Sequence, residues 1–386
     1  MKVLHVMATL RTADGGGVKG VTELTQSQAK KGIDVTIFAP SWSDIDACTS
    51  SPEGVEVKFF KRTILSKLWF GHSRILAETL RKEYPRFDLI HAHHIWCYPQ
   101  FAVYETLKSK NKPYVLSIHG ELFPHPSKNR SFQKKFFYEL LQKKVIKNAA
   151  AVHAVSENEA RHIANLVNHP DIFFIPNGIN PEEFKGPSDA GWIRQAYPQL
   201  AGKKTILFLG RIFPGKGLDV LVRAFSRIAR IRSDVYLLIA GPDNWGYKNE
   251  LEEMLDREAI PERVIFTGML IGDKKKAAFS CADLFVYPSY SEGFSNAVLE
   301  AMAWGLPVII SPQCNFPEVQ TRGAGRVIEP EVGQLEKVIS GLLDQPEICR
   351  QMGDRGRALV NDQYTWDKIA ENMIAAYERI INASRN

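Results

Sequence analysis

The sequence predicts an α/β protein built from two doubly wound domains in tandem. The chain has 386 residues, more than one hydrophobic core usually organises. Apolar strand-like runs alternate with helix-like patterns along both halves, the mark of βαβ units and parallel sheets. Charge is divided as well: residues 1–175 carry 24 Lys and Arg against 16 Asp and Glu, whereas the remainder is slightly acidic. All ten histidines precede residue 170, so the two halves differ in surface chemistry.

In the first half, short apolar runs place strands at 2–8, 33–39, 88–92, 113–118, 150–155 and 172–175. Apolar residues at helical spacing place helices at 18–31, 73–83, 98–110, 131–148 and 157–167. The second half repeats the scheme, with strands at 204–209, 235–240, 263–267, 283–287, 307–310 and 326–328. Its helices are expected at 216–232, 247–259, 273–280, 295–304, 333–343 and 347–360. NPEEFKGPSD, rich in Pro, Gly and charge, marks a linker within 177–203, giving domains at 1–180 and 181–365. The segment 366–386 is amphipathic, with Trp366, Ile369, Met373, Ile374, Tyr377 and Ile381 largely on one stripe, and reads as a packing helix.

Composition narrows the class. No run approaches the roughly 18 apolar residues that span a bilayer. The opening MKVLHVMATLR is too short for a signal peptide's apolar region and reads as a buried strand. Five scattered cysteines, never spaced as CxxC, argue against a disulfide framework or a zinc site and fit a reducing cytosol.

The stretch from Asp283 to Ile310 carries the chemistry. A strand runs into a Pro-Ser-Tyr-Ser-Glu-Gly turn, and a helix opens near Ser295. Ser295 or Asn296 can cap that helix, whose free N–H groups and positive end suit a phosphate. Glu292 and Glu300 flank the turn, and such carboxylates accept hydrogen bonds from ribose or sugar hydroxyls. Together these features describe a nucleotide-sugar pocket. Upstream, Gly210 to Lys216 matches GxxxxGK, but Gly217 stands where a magnesium-binding Ser or Thr would be needed.

Glu292 and Glu300, with Gly293, Phe294, Ser295 and Asn296 between them, resemble the E-x7-E signature of retaining glycosyltransferases of family 4. Arg211 and Lys216 resemble that family's G-R-x4-K-G element. The resemblance covers nearly the whole chain. It implies the GT-B fold: two Rossmann-like domains facing a central cleft, with the C-terminal helix crossing back to the first. It implies that Arg211 and Lys216 neutralise the leaving diphosphate, where preorganised cations stabilise developing charge. Glu300 would hold the ribose, Glu292 the sugar hydroxyls, and the Gly293–Asn296 loop phosphate or sugar. Met269 or Leu270, after the strand VIFTG, would sit beside the base.

In the first half, Gly15 and Gly16 follow a strand and open a helix, where glycine permits close approach of a ligand. A flexible loop explains a lone Gly-rich turn equally well. The resemblance would place Gly16 beside the donor and Gly15 beside the acceptor. Along a strand, His91 and His93 share one face and His94 takes the other. With no Asp, Glu or Cys at ligand spacing, a metal is the weaker reading, and none is expected. The resemblance makes His94 an acceptor contact and His119, ending the strand PYVLSIHG, a partner of the donor sugar. Lys134, Lys135, Lys143, Lys144 and Lys147 dot an apolar helix that packs on its own domain or rests on an anionic membrane.

The function expected is metal-independent, retaining transfer of a hexose to a glycan or lipid-linked acceptor in polysaccharide biosynthesis. UDP-glucose is the donor that family frequency favours, with a cytoplasmic enzyme peripheral to the inner face of the plasma membrane. A P-loop NTPase, a basic adaptor for nucleic acid or membrane, and a nucleotide-sugar epimerase are the alternatives.

Overall fold

The computed structural model describes residues 1–11, 16–42, 51–123, 138–184 and 190–385. The chain divides into two compact units: Met1–Gly178 with Trp366–Asn386, and Ile179–Thr365.

The first unit is built on strands β1 (Lys2–Val6), β2 (Asp34–Ser41), β3 (Glu56–Lys61), β4 (Leu89–His93), β5 (Tyr114–Ser117), β6 (Ala151–Ala154) and β7 (Ile172–Phe174). All neighbours pair in parallel, in the order β3-β2-β1-β4-β5-β6-β7. Helices α1 (Gly16–Lys30), α2 (Arg74–Glu83), α3 (Tyr98–Leu107), α4 (Lys143–Lys147) and α5 (Glu157–Val167) connect them. Ser73 and Ser156 cap α2 and α5 by accepting from Leu76 N–H and Glu159 N–H. The apolar-run reading does not find β3. As an edge strand it buries only Phe60, so its Glu and Lys residues interrupt the run. Of the helix expected at 131–148, the described part is a π-helical turn (Tyr138–Gln142) followed by α4; residues 131–137 lie outside the described residues.

Strand alternation gives the sheet two different faces. One packs Leu4, Val6, Ile90, Ala92, Leu116 and Val152 against α2, α3 and α5. The other puts Val3, Leu89, Val115 and Ala151 under α1 and the C-terminal helix. That last helix (Trp366–Arg385) belongs to the first unit, burying Trp366, Ile369, Met373 and Tyr377 there. Polar ties hold its rim: Ser27 donates to Asp367 at 2.8 Å, Lys31 pairs with Glu371 at 2.6 Å, and Arg379 grips both oxygens of Asp171.

The second unit has a parallel sheet of β8 (Lys204–Leu209), β9 (Val235–Ala240), β10 (Val264–Gly268), β11 (Leu284–Tyr287), β12 (Val308–Ile310) and β13 (Gly325–Val327). Their order is β10-β9-β8-β11-β12-β13. Its helices are α6 (Ala190–Ala196), α7 (Leu218–Ile231), α8 (Tyr247–Arg257), α9 (Gly272–Ser280), α10 (Asn296–Trp304), α11 (Glu318–Thr321), α12 (Val332–Leu343) and α13 (Pro346–Gln363). The segment expected as a linker is part of this unit. Phe184, Ile193 and Leu200 are buried in its core, three apolar anchors spaced too widely to show a periodic pattern.

Doubly wound sheets bind ligands beyond the carboxyl ends of their strands, where the strand order reverses. Those points lie between β1 and β4 in the first unit and between β8 and β11 in the second.

Candidate active site

In the second unit the reversal point gathers the sequence-predicted charges. The loop after β8 carries Arg211 and a short 3-10 turn, Pro214–Lys216, and the loop after β11 carries Glu292. Ser289 Oγ and Tyr290 N–H both donate to the Gly215 carbonyl, at 3.1 and 2.9 Å, so the two loops are laced together. Across them Lys216 Nζ forms a salt bridge with Glu292, both side chains about nine-tenths buried. The same ammonium lies 5.9 Å from the centre of the Tyr287 ring. Burial, with Glu292 beside it, holds the Tyr287 phenol well above its ordinary pKa. Arg211 is exposed and makes no ion pair among the described residues.

Glycine is required beside this pair. Gly217 has φ +68°, and a Cβ there would lie 2.0 Å from the Pro288 carbonyl oxygen. The Ser or Thr of a magnesium-binding phosphate loop therefore has no room. The helix beyond the second loop starts as the sequence predicts, with Ser295 Oγ accepting from Val298 N–H at 3.5 Å. Asn315 braces the loop by donating to the carbonyls of Glu292, at 2.6 Å, and Gly293, at 3.3 Å. Deeper in α10, Glu300 pairs with Lys275 at 2.7 Å.

In the first unit the reversal point is lined by histidine. His5, His91 and His93 lie on the face covered by α1 and the C-terminal helix. His93 Nδ1 lies 3.2 Å from His119 Nε2, and His94 Nδ1 lies 3.0 Å from Glu121. His94 and His119 both take positive φ, at 69° and 57°, as the chain turns off its strands. Glu159, fully buried, accepts from Val155 N–H at 2.7 Å and from Gly120 N–H, fixing the turn after His119. Burial outweighs those bonds and pushes the Glu159 carboxyl up to about 7.

Ligand nitrogens of His5, His91 and His93 fall within 4.8 Å of one another, a set of metal-binding type that the sequence reading did not assemble because His5 is distant in the chain. Every one of those ring nitrogens has a partner in the protein. His5 bonds Gln28 and His93; His91 bonds Tyr377 and Ser117; His93 bonds His5 and His119. Hydrogen bonding between neutral rings accounts for the cluster.

Comparison with known proteins gives the family. The family model described as Glycosyltransferase Family 4 matches residues 14–183, and that described as Glycosyl transferases group 1 matches 192–359. The chain belongs to glycosyltransferase family 4. A D-inositol 3-phosphate glycosyltransferase of Segniliparus rotundus is 26% identical over 394 residues, covering 95% of this chain and 85% of that protein. A GDP-mannose-dependent alpha-(1-6)-phosphatidylinositol monomannoside mannosyltransferase of Mycobacterium tuberculosis is 30% identical over 210 residues, 52% of this chain and 54% of the relative. Among solved structures, Anabaena HepE in complex with UDP-glucose superposes with a TM-score of 0.77 at 18% identity, covering 98% of this chain and all of HepE. At that identity the likeness establishes the fold, which is GT-B.

In this glycosyltransferase the predicted residues are distributed as follows. Lys216 and Glu292 are brought together, with Arg211, Gly293 and Ser295 in the same pair of loops. Phe294 turns its ring inward onto Phe316 and Tyr364, leaving its backbone to the loop. Asn296 opens α10; Met269, exposed, and Leu270, half-buried, follow β10. Gly16 begins α1, and Gly15 lies outside the described residues. Sequence reasoning missed Asn315, in a stretch without a local signature, and Lys275, one of three successive lysines with nothing to single it out.

Proposed function

We propose that this glycosyltransferase moves a hexose, glucose from UDP-glucose, to a glycan or lipid-linked acceptor with retention of configuration and without a metal. The buried Lys216–Glu292 pair at the strand-order reversal carries the reading. It holds a cation against the loop that leads into α10, so a diphosphate meets both a fixed charge and the positive end of the helix dipole. Arg211 supplies a second, exposed cation one loop away. Fixed cations and a helix terminus stabilise the leaving diphosphate without a divalent ion.

For the chemical step, the acceptor oxygen bonds the anomeric carbon as the bond to the diphosphate breaks. The acceptor proton passes to the departing phosphate oxygen on the same face. The first unit's carboxylates near His119 favour this over a covalent intermediate. Glu159 is committed to two backbone N–H groups, and Glu121 to His94 and Ile95 N–H. Contact with an anionic membrane belongs to the same proposal, supported by exposed Lys144 and Lys147 on α4.

The uracil and glucose assignments have support from the likeness to HepE, whereas the M. tuberculosis relative points to GDP-mannose. Thermal unfolding with UDP, GDP and ADP, each with and without EDTA, separates them. UDP is expected to raise the midpoint on the order of 5 °C at about 100-fold over its dissociation constant, unchanged by EDTA. A GDP-selective shift would move the donor to a GDP-sugar. A shift that EDTA abolishes would overturn the metal-free mechanism, and none with any nucleotide would overturn the site.

A further inference from the structure

Beneath His119 runs a continuous hydrogen-bonded chain whose direction is set at its far end. The anchor is the Ile175 carbonyl, which can only accept; His153 Nε2 lies 2.8 Å away and must donate. Burial lowers the pKa of His153 to about 4, so the ring is neutral and its Nδ1 carries no hydrogen. Ser117 Oγ, at 2.6 Å, must therefore donate to His153 Nδ1. Having spent its one hydrogen, Ser117 accepts from His91 Nε2, also at 2.6 Å.

The same logic continues across the C-terminal helix. Burial and the surrounding histidines lower His91, so its Nδ1 is bare and accepts from the Tyr377 hydroxyl at 2.5 Å. The Tyr377 oxygen then accepts from the Gln28 amide at 3.3 Å, which turns the Gln28 carbonyl toward His5 Nε2, at 3.0 Å. His5, lowered by burial to about 3, donates there and accepts at Nδ1 from His93 Nε2, 2.9 Å away. His93, neutral by burial too, accepts at Nδ1 from His119 Nε2 at 3.2 Å.

We infer that this chain, running from the Ile175 carbonyl through Tyr377 and Gln28, locks His119 in its Nε2–H tautomer, with Nδ1 as a bare acceptor. Tyr377, Ser117 and Gln28 are thus positioning residues that act on His119 through other side chains. A ring in that form takes the hydrogen of a hydroxyl and disfavours a phosphate oxygen, which has only lone pairs to offer. Assigning that hydroxyl to a sugar rests on the transferase reading; the tautomer does not. The arrangement also explains why a tyrosine is buried on the C-terminal helix: its hydroxyl is the link between the two histidine groups.

The test is long-range proton–nitrogen correlation NMR on the full chain labelled with 15N-histidine, with no nucleotide added. The His119 ring is assigned by its loss in His119→Gln. In the unsubstituted protein the Nε2–H form is expected to dominate. Tyr377→Phe and Ser117→Ala each interrupt the chain on the anchor side of Gln28, and each is expected to shift His119 to a roughly even mixture of tautomers. His169, hydrogen-bonded outside the chain to the Ala149 carbonyl and to the Asp171 backbone, whose N–H donates to Nδ1, reports an intact fold by unchanged signals. An Nδ1–H His119 in the unsubstituted protein would overturn the inference, even should a variant fail to fold. So would an unchanged His119 in both variants with His169 intact. Neither result depends on donor, acceptor or turnover, so each is distinguishable from failure of the transferase reading.

Discussion

Acidification from about pH 7 to about pH 5 is expected to destabilise the first unit strongly while the second remains protected. His5, His91, His93, His119 and His153 all have depressed pKa values, with burial the largest cause for each. In the unfolded chain they titrate near 6.5. For a folded pKa below the unfolded one, stability is present above the unfolded value and is lost as pH falls toward the folded value. The unfolded state then binds more protons than the folded state, so each unit of pH below about 6 removes about 1.4 kcal/mol for each of these rings that stays neutral in the fold. Glu159 works in the opposite sense. Its folded pKa is raised from 4.5 to about 7, so its contribution is present at low pH and is lost as pH rises through that window. Acidification therefore returns about 1.4 kcal/mol per unit from Glu159, one group against five. With several such rings against one carboxyl, acidification brings a net loss on the scale of a typical domain stability. Hydrogen exchange read by mass spectrometry, corrected for intrinsic rates, checks this by unit. Peptides from β1, β4 and β5 are expected to lose at least about 100-fold in protection, a fold-change of about 2.7 kcal/mol. Those from β8 and β11 should hold, since the second unit has no histidine. Equal loss in both units, or none in the first, would refute the account.

That contrast between the units also explains what the sequence revealed and what it hid. The second unit's strands are continuous apolar runs, because parallel strands buried on both faces need nothing else, and they lie within about a residue of expectation. Its candidate site was readable because Lys216 and Glu292 sit in loops whose neighbouring glycines and Ser cap leave a local signature. The partners that brace those loops were not readable. Asn315 and Lys275 act through the fold, Asn315 on the backbone carbonyl of Glu292, 23 residues away, and Lys275 on the Glu300 carboxylate, 25 residues away. In the first unit, alternation correctly placed His91 and His93 on one face. Nothing local announced that His5, Gln28 and Tyr377 would join them, because that network spans 286 residues between His91 and Tyr377 alone. The stripe on the final helix was visible as packing, and Tyr377 looked like one more apolar position. Its hydroxyl acquires meaning only when α1 and β4 are placed against it.

Lys216→Ala is expected to lower turnover at least about 100-fold with the nucleotide sugar that stabilises the chain, the scale of losing one preorganised charge at a leaving group. The variant will also lose stability, on the order of 3 kcal/mol, because the buried Glu292 carboxylate is left without its cation. Turnover alone therefore cannot separate a role in transfer from a role in holding the loops. The double variant Lys216→Met with Glu292→Gln separates them. It removes both charges together, keeps an unbranched stem of similar length at position 216, and leaves no unpaired ion. Its stability is expected to recover most of what Lys216→Ala loses, so that the two substitutions couple strongly in a double-mutant cycle. Its turnover is expected to stay as low as that of Lys216→Ala, since no uncharged pair can meet the charge that develops on a departing diphosphate. Purified variants assayed for unfolding midpoint and single-turnover transfer give both quantities. Recovery of stability together with recovery of turnover would reduce the pair to a structural brace and leave Arg211 as the cation that meets the leaving group.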